Sequence, residues 1–329
     1  MSEFRKDPVI NRWVIATNDR NFTPEPGSRM PDGIPERDEL CPFCPGNEEK
    51  TGKEIFRAGA GNSWSIRVIP NNTPYLKVEP SLEKKSEGIY HTISGTGANE
   101  VIIESELHNA DLDSMDINHV TEIIKAYRHR MLDLKNDMRI EHVLIFKNRG
   151  PYSGSNILHL HSQLMAMPVT PGLIGQEMFF SSEYFSREGS CVYCDMIKHE
   201  LESGKRVISE NKEYLLIAPF ASHACFEMMV LPKKHSSGFH NITDKDAFGL
   251  AEIMKDAVTR MNRALNNPSY SYVIHSAPLK DNELKHYHWH IEIMPRVKQV
   301  AGFELGSGFY INPVNPEEAA EYLKKYDFK

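Results

Sequence analysis

Residues 148–168, NRGPYSGSNILHLHSQLMAMP, decide how this chain is expected to fold. A turn rich in glycine and serine runs into a segment that carries His159, His161 and Gln163 at alternate positions. Because alternate side chains of a strand share one face, we predict that these three point the same way and that Leu158, Leu160 and Leu164 point the other way, into a core. The backbone N–H groups of such a turn suit phosphate oxygens, so the stretch indicates a site for a phosphorylated compound.

The landmarks around this stretch occur twice, in the same order. Each copy has a C-x-x-C motif, a strand, a histidine, an amphipathic helix, a strand and an H-x-H strand. The helices are expected at about residues 116–135 and 243–265, where apolar residues recur at helical spacing. We therefore predict an α+β fold of two repeats, each an antiparallel sheet with a packed helix. The first repeat is expected to span residues 1–175 and the second residues 176–329.

Each copy also supplies the donor set of a metal site. Two thiolates and two imidazoles make a tetrahedral shell of the kind that structural zinc prefers. The remaining cysteine, Cys225, stands alone, and paired C-x-x-C motifs in a reducing compartment favour a metal over a disulfide. We predict two structural zinc ions per chain, each pinning an H-x-H strand to a cysteine knuckle. The predicted ligands are Cys41, Cys44, His108 and His159 in the first copy, and Cys191, Cys194, His235 and His288 in the second.

If His159 is a metal ligand, His161 remains free beside it. A neutral imidazole, whose ordinary pKa is about 6.5, can attack phosphorus at pH 7. Attack at the α-phosphate of a nucleotide would give a covalent nucleotidyl-histidine, which the phosphate of a second substrate would then displace. Gln163 would donate its amide N–H to the phosphate as negative charge develops. The second copy has Glu292 at the matching position, where an ionised carboxylate would repel phosphate, so we predict that the first copy is the active one.

Composition limits the class of protein. Hydrophobic residues make up 40% of the chain and charged residues 25%, as in globular proteins. The net charge of −7 argues against a protein that coats nucleic acid or binds anionic membranes. No apolar run approaches the length of a membrane span, and the N-terminal residues lack the apolar core of a signal peptide. We therefore expect a cytoplasmic protein with no nucleic-acid or membrane partner.

At these residues the chain resembles the galactose-1-phosphate uridylyltransferase family, within the histidine-triad superfamily. The resemblance covers nearly the whole chain, and the combination of RKDP…RWV near the start with H-x-H-x-Q is specific. The family implies two histidine-triad-like repeats, nucleotidyl transfer through a histidine, and a homodimer with its sites near the subunit boundary. The stretches that carry the resemblance are FRKDPVINRWVIAT (4–17), CPFC (41–44), RVIPNNTP (67–74), GSNILHLHSQ (154–163), HWHIEIMP (288–295) and GFELGSGFYINP (302–313).

The resemblance also implies roles for individual residues toward a nucleotide sugar and a sugar phosphate. His161 takes the position of the nucleophile, and Gln163 that of the residue that stabilises the nucleotidyl-enzyme. The remaining positions are Asn148, Gly154, Ser155 and Asn156 for phosphate and ribose, Asn71 for the nucleoside, Arg20 as the evident member of a basic pair, and Lys298, Phe303 and Glu304 for the sugar, contacted across the dimer.

Three functions remain open. The first, which we favour, moves UMP between UDP-glucose and galactose 1-phosphate, as part of galactose metabolism. The second uses the same nucleophile with adenine as the base and inorganic phosphate as the acceptor, because the second C-x-x-C and the tail at 302–313 resemble plant-type ADP-glucose phosphorylases. The third is a non-catalytic nucleotide-binding zinc protein with His161 as a bystander on its strand. The presence of both His161 and Gln163 argues against the third, so we expect an enzyme, a nucleotidyltransferase.

Overall fold

The computed structural model describes residues 2–19, 22–59, 63–281 and 283–327. Short 3-10 helices lie at Pro26–Ser28, Glu48–Lys50, Pro151–Ser153 and Phe239–Asn241. The α-helices are α1 (Ile117–Leu134), α2 (Gly172–Glu188), α3 (Val192–Ser203), α4 (Asp244–Leu265), α5 (Gly302–Ser307) and α6 (Pro316–Lys324). The strands are β1 (Glu3–Lys6), β2 (Trp13–Ala16), β3 (Phe56–Ala58), β4 (Ile66–Pro70), β5 (Lys84–Glu87), β6 (Tyr90–Ile93), β7 (Ala98–Ile103), β8 (His142–Arg149), β9 (His161–Met167), β10 (Val207–Glu210), β11 (Tyr214–Ile217), β12 (Met228–Pro232), β13 (Tyr270–His275), β14 (His290–Pro295) and β15 (Tyr310–Asn312).

Ten strands form one antiparallel sheet in the order β10-β11-β12-β14-β13-β8-β9-β7-β4-β3. Its two five-stranded halves meet where β13 pairs with β8, with Ile274 opposite Ile145. The strand order in the two halves is equivalent when it is counted outward from this junction. The second strand of each half is its H-x-H strand, β9 or β14, and the third is the strand that precedes His108 or His235, β7 or β12. The predicted α+β fold of two histidine-triad-like repeats is confirmed. The difference is that the two repeats share a single sheet instead of having separate ones, while the division of the chain at residues 175 and 176 stays a prediction.

Helices α1 and α4 pack against each other and cover one face of this sheet. The predicted apolar stripe of α1 is buried at Val120, Ile124 and Met131, among others. In α4 the buried stripe runs through Leu250, whereas Phe248 is 41% exposed. Both helices thus supply the apolar cover that the sheet needs on this face.

The helix starts follow from their capping residues. Asp116 accepts a hydrogen bond from the backbone N–H of Asn118 at 2.8 Å, and Thr243 and Asp246 form a capping box at the start of α4. At α6, however, Asn315 makes no side-chain capping bond. The Glu318 carboxylate, three residues further on, accepts a hydrogen bond from Asn18 and takes no part in a capping box.

Alternation along the strands directs a second set of side chains to the opposite face. Leu215 and Leu231 lie in a cluster with residues of α2 and α3, whereas their neighbours Leu216 and Val230 face α1 and α4. In the N-terminal half, Val101 and Ile103 likewise belong to a cluster with the first cysteine knuckle. The cysteine clusters and the histidine side chains of both H-x-H motifs therefore lie on this second face of the sheet, which we call the site face.

Several elements are outside the sequence predictions. No element was assigned from the sequence to the stretches that contain helices α2, α3 and α5, strands β10 and β11, and the hairpin of β5 and β6. A separate small sheet joins β1 and β2 to β15, which runs parallel to β2. Its β1–β2 loop places Val9 and Ile10 in the cluster with α2 and α3. None of the helices in the described part of the chain is long and apolar enough to cross a bilayer.

Candidate active site and metal centres

The first cysteine–histidine cluster forms where the knuckle at residues 41–44 meets the start of β9. The Sγ of Cys44 lies 3.5 Å from the Nδ1 atoms of both His108 and His159, and the Sγ of Cys41 lies 3.7 Å from the Nδ1 of His159. All four side chains are buried. The structure thus brings together the four residues that the sequence nominates as the first metal site.

The second cluster has the same composition in the C-terminal half. Cys191 caps α3 and Cys194 lies in its first turn, so the C-x-x-C motif presents both sulfurs at the helix start. The Sγ of Cys194 lies 3.4 Å from the Nδ1 of His235 and 3.7 Å from the Nδ1 of His288. The four ligand atoms lie within 4.8 Å of one another, as they do in the first cluster.

Both clusters have the dimensions of a tetrahedral zinc shell. With Zn–S about 2.3 Å and Zn–N about 2.0 Å, tetrahedral ligands stand about 3.5 Å apart, close to the distances between sulfur and nitrogen here. Burial raises the pKa of the Cys41 thiol to about 11, so this thiol keeps its proton unless a cation takes the proton's place. The residues present therefore fit zinc at both positions.

Main-chain carbonyls orient three of the four histidines of these clusters. The Nε2 of His159 donates to the carbonyl of Ser105 at 2.7 Å, and the Nε2 of His288 donates to that of Pro232 at 2.8 Å. His235 makes the same kind of bond, 3.0 Å long, to Leu284. With Nε2 protonated, Nδ1 carries the lone pair that faces the sulfurs, which is how metal-binding histidines are commonly held.

His161 is the first residue of β9 and is 8% exposed. Its Nδ1 donates to the carbonyl of His159 at 2.7 Å, which places the proton on Nδ1 and leaves Nε2 with a lone pair. The edge of Phe43 packs against its ring, with the ring centroids 5.3 Å apart. Burial lowers the pKa of His161 below its usual 6.5, in spite of the hydrogen bond to His159, so the imidazole is neutral at pH 7.

Gln163 lies two residues further along β9 and therefore on the same face of the strand as His161. It is partly exposed and pairs with Val101 on one side and with Phe146 on the other. This register also brings Asn148, two residues beyond Phe146, to the level of His161. The Oδ1 of Asn148 accepts a hydrogen bond from Ser271 at 2.9 Å, which leaves its amide N–H groups as donors.

The loop from β8 to β9 holds the remaining predicted phosphate residues. Gly150 and Gly154 both have φ of +86°, and a side chain at Gly150 would collide with Ser269 and Met30. A side chain at Gly154 would meet open space. Ser155 donates to the carbonyl of Ile157 at 2.8 Å. Asn156, next in the loop, is exposed.

The other predicted substrate residues lie on elements other than β9 and the β8–β9 loop. Asn71 follows β4, and its backbone N–H donates to the carbonyl of Asn99 at 2.9 Å. Asn99 lies on β7, the strand next to β9 in the sheet. Lys298 and Glu304 form an ion pair of 2.7 Å, and Phe303 is half exposed. Lys298 and Glu304 border a small cavity in the C-terminal half together with residues 223–225. No hydrogen bond, ion pair or ring contact among the described residues joins the side chains of Lys298, Phe303 and Glu304 to His161, and Arg20 lies outside the described residues.

A buried polar network that the sequence does not signal lies on the other face of β9. The carboxylate of Glu104 pairs with Lys147 and accepts hydrogen bonds from Tyr127 and, at 2.5 Å, from Ser162. Tyr272, from the second half of the sheet, joins through a 2.7 Å bond to Tyr127. Glu104 and Lys147 are completely buried. Because Ser162 stands between His161 and Gln163, this network fixes the strand that carries both.

A third group, Glu177, His275, His290 and Glu292, lies in the C-terminal half and was also missed. Its nitrogen and carboxylate atoms lie within 4.8 Å of one another, so the group could also hold a cation. Burial alone would lower the pKa of His275, but the carboxylates of Glu177 and Glu292 raise it to about 9. Burial alone would raise the pKa of Glu177, but the charge of His275 lowers it to about 2. Glu177 lies on α2, which the sequence pattern did not predict, so no spacing rule connected it to the histidines.

Comparison with known proteins places this geometry in a family. The curated relatives include an ADP-glucose phosphorylase from Arabidopsis thaliana, 36% identical over 98% of this chain and 92% of its own length, and a galactose-1-phosphate uridylyltransferase from Thermotoga maritima, 25% identical over 99% and 98%. These relatives are nucleotidyltransferases. Among solved structures, that of an ADP-glucose phosphorylase from Arabidopsis thaliana with bound ADP-glucose matches with a TM-score of 0.84 and 33% identity, over the whole of both chains.

Family models cover the two halves of the chain in succession. The model of the N-terminal domain of galactose-1-phosphate uridyl transferase matches residues 1–171, and that of its C-terminal domain matches residues 177–326. With both domains matched in order, and with the duplicated cysteine and histidine clusters in place, the chain belongs to the galactose-1-phosphate uridyl transferase family.

Proposed function

We propose that this protein transfers a nucleotidyl group in two steps through His161. The observation that carries the proposal is the bond from the Nδ1 of His161 to the carbonyl of His159, which leaves Nε2 unprotonated in a buried, neutral ring. In the first step Nε2 attacks the α-phosphorus of a nucleotide sugar, forming a P–N bond as the P–O bond to the sugar phosphate breaks. In the second step a phosphate oxygen of the acceptor attacks the same phosphorus and the P–N bond breaks.

The neighbouring residues are proposed to bind the phosphates during both steps. Gln163 donates its amide N–H to a non-bridging oxygen, where negative charge develops. Asn148 and the loop at Gly154, Ser155 and Asn156 provide further neutral donors. All these groups are uncharged. They therefore stabilise the phosphate without drawing the Nδ1 proton away from the imidazole of His161.

The substrate is proposed to be a nucleotide sugar, and two pairs of substrates compete. ADP-glucose with inorganic phosphate is supported by the relative of 36% identity, by its match in a structure that contains ADP-glucose, and by the second cysteine–histidine cluster. UDP-glucose with galactose 1-phosphate is supported by the two family models and by several uridylyltransferase relatives near 25% identity. The higher identity over nearly all of both chains makes the adenylyl reaction our first candidate.

One labelling experiment tests the mechanism and the base together. The protein is incubated separately with ADP-glucose and UDP-glucose that carry radioactive phosphorus in the α-phosphate, then denatured and chromatographed. We expect acid-labile label on the wild type from one of the two, and none on the His161→Asn variant. Label from neither nucleotide would contradict a covalent mechanism and favour the non-catalytic nucleotide-binding protein. Whether the label comes from ADP-glucose or from UDP-glucose decides between the two substrate pairs.

The two cysteine–histidine clusters are proposed to bind one structural zinc ion each. Four protein donors close each shell, so the metal has no position for substrate and would act by holding the H-x-H strand in place. None of the five cysteines forms a disulfide, which is consistent with a reducing compartment, and we propose the cytoplasm. No chemical step is assigned to the metal.

We propose a homodimer because no hydrogen bond, ion pair or ring contact among the described residues joins His161 to Lys298, Phe303 or Glu304, the residues proposed to contact the sugar. Exposed aromatic side chains occur in this part of the chain: Phe4, which is 61% exposed, contacts Trp13 and Phe309, and Phe303 is half exposed. An apolar surface of this kind commonly marks an interface. The test mixes His161→Asn subunits with Lys298→Ala subunits. If each site uses residues of both chains, the mixed dimer regains one intact site, whereas sites confined to one chain would regain none.

A further inference from the structure

The C-x-x-C motif of each repeat carries an aromatic residue at its third position, directly before the second cysteine. Phe43 takes this position in the first repeat and Tyr193 in the second. Both side chains are buried, Phe43 with 4% of its surface exposed and Tyr193 with none. A zinc shell of two thiolates and two imidazoles makes no use of an aromatic ring. The two rings therefore need an explanation other than metal binding.

In both repeats this ring lies against the second histidine of the H-x-H motif, the one that is not a predicted metal ligand. The ring centroid of Phe43 lies 5.3 Å from that of His161, with the ring planes at 68°. The ring centroid of Tyr193 lies 5.0 Å from that of His290, with the planes at 33°. The same pairing occurs in two halves of the chain with different neighbouring residues. It is therefore a property of the repeat, and in the first repeat its partner is the proposed nucleophile.

Two contacts limit the movement of the His161 ring. The hydrogen bond from its Nδ1 to the carbonyl of His159, 2.7 Å long, decides which nitrogen faces the backbone. A hydrogen bond of this kind tolerates a wide range of directions at the carbonyl oxygen, so it leaves the ring free to swing about its bond to the strand. The ring of Phe43 stands against the imidazole and limits this swing. An aromatic pair of this geometry favours the contacting arrangement by a factor of roughly 2 to 10 beyond its apolar burial.

Phe43 is itself fixed by the knuckle that carries it. Its backbone N–H donates to the Sγ of Cys41 at 3.4 Å, and Cys44 follows it directly in the chain. Its side chain belongs to the apolar cluster that contains Ile103, and Ile103 pairs with His161 across β7 and β9. A metal held by both cysteines would fix the backbone on either side of Phe43. The ring therefore has one position relative to the start of β9.

We propose that Phe43 is a positioning residue, which holds the imidazole of His161 so that Nε2 faces the substrate phosphorus. The proposal rests on the proposed function of His161 and extends it: the first cysteine–histidine cluster orients the nucleophile through Phe43, besides holding the strand. Attack requires the reacting atoms to be close and aligned, and a displacement of about 1 Å costs roughly 100-fold in rate. Phe43 forms no bond to the substrate in either step.

Phe43→Leu tests the proposal, because leucine keeps an apolar side chain in the knuckle but has no ring to stand against the imidazole. Rapid-quench measurements use the α-labelled nucleotide sugar that labels the wild type. We expect the saturating rate of nucleotidyl-enzyme formation to fall about 10-fold, with an unchanged half-saturating concentration, because Phe43 orients the nucleophile and not the nucleotide. Phe43→Tyr, which copies the second repeat and keeps a ring, should retain more of the rate than Phe43→Leu. Phe43→Met repeats the test if leucine loosens the knuckle.

Tyr193→Leu is the matched control, because it removes the equivalent ring from His290, which has no part in the transfer. It should form the nucleotidyl-enzyme at the wild-type rate, and zinc content and melting temperature show that each variant is folded. A second readout needs no activity. In protein with ¹⁵N-labelled histidine, the Nδ1 proton of His161, identified by its absence in His161→Asn, should exchange with water faster in Phe43→Leu than in the wild type.

The outcomes separate this proposal from the proposed function. A folded, zinc-loaded Phe43→Leu variant with the wild-type rate of nucleotidyl-enzyme formation would overturn it, as would a change confined to the half-saturating concentration. A loss no larger than that of Tyr193→Leu would also count against it. If neither nucleotide labels the wild type, the proposed function fails, and equal exchange of the His161 proton in the wild type and Phe43→Leu would then show that Phe43 does not hold the ring.

Discussion

The Nδ1 of His161 donates a hydrogen bond to the main-chain carbonyl of His159, and His290 makes the same bond to His288 in the second repeat. In both repeats a predicted zinc ligand thus fixes, through its backbone, the tautomer of the histidine two positions further on. The repeats differ in what surrounds the Nε2 atom. In the second repeat a carboxylate of Glu177 lies 3.9 Å from it, whereas the first has the uncharged Gln163 on the same face.

His161→Asn is expected to abolish nucleotidyl transfer while keeping the fold and both zinc ions. Asparagine retains a hydrogen-bonding side chain on the strand but has no nitrogen lone pair that can attack phosphorus. Transfer is measured by the exchange of labelled sugar phosphate into nucleotide sugar, and zinc by elemental analysis. The matched control is His290→Asn, at the equivalent position of the second repeat, which should still form the nucleotidyl-enzyme. Full turnover by His161→Asn would remove this histidine from the mechanism.

Gln163→Glu, which copies the residue of the second repeat, is expected to slow formation of the nucleotidyl-enzyme more than Gln163→Ala does. Alanine loses one donor to the developing charge, a loss that typically costs about 100-fold in rate, while an ionised glutamate adds repulsion of the phosphate. Rapid-quench measurement of the first half-reaction compares the two variants. Equal rates for the two would mean that the side chain of Gln163 does not meet the phosphate.

The sequence predicts the repeats and both metal clusters because their signals are local and periodic. The C-x-x-C motifs, the H-x-H strands and the helices α1 and α4 each have a spacing that can be recognised within about twenty residues. The order of these landmarks was enough to place eight cysteines and histidines in two groups, which the structure brings together.

The features of the fold and the site that the sequence did not predict depend on contacts between distant parts of the chain. The pairing of β13 with β8, which merges two sheets into one, joins residues such as Ile274 and Ile145 that no local pattern connects. Glu177 reaches His275 only because α2 packs on the site face, and the periodicity of α2 is weak. The Glu104–Lys147 pair is a charged pair inside a core, which hydrophobic patterning cannot anticipate.

Elemental analysis of the purified protein is expected to give two zinc ions per chain. Changing Cys41 and Cys44 to serine should remove one ion and most of the transfer activity, because the first site holds the strand that begins at His161. Changing Cys191 and Cys194 to serine should also remove one ion but leave formation of the nucleotidyl-enzyme measurable. A wild-type content of one zinc would mean that one cluster has another role, and the paired variants would identify which.

The buried pair of His275 and Glu177 predicts how stability depends on pH. The pKa of His275 is about 9 in the folded protein against an ordinary value of 6.5, so its stabilising charge is fully present below pH 6.5 and is lost as the pH rises toward 9. Because the pKa of Glu177 is lowered to about 2, its carboxylate stays ionised over this range. The interval between the two His275 values corresponds to about 3 kcal/mol of unfolding free energy.

Denaturant unfolding of the wild type and of His275→Gln, in zinc-containing buffer from pH 6.5 to pH 9, measures this effect. The wild type should lose stability relative to the variant as the pH rises, and the two curves should converge near pH 9. His142→Gln is the matched control, because burial lowers the pKa of His142 to about 4 in the folded protein. Only the unfolded chain titrates this histidine, near pH 6.5, so its replacement should leave the slope unchanged above about pH 7.5. Parallel curves for the wild type and His275→Gln would mean that His275 is uncharged in the folded protein.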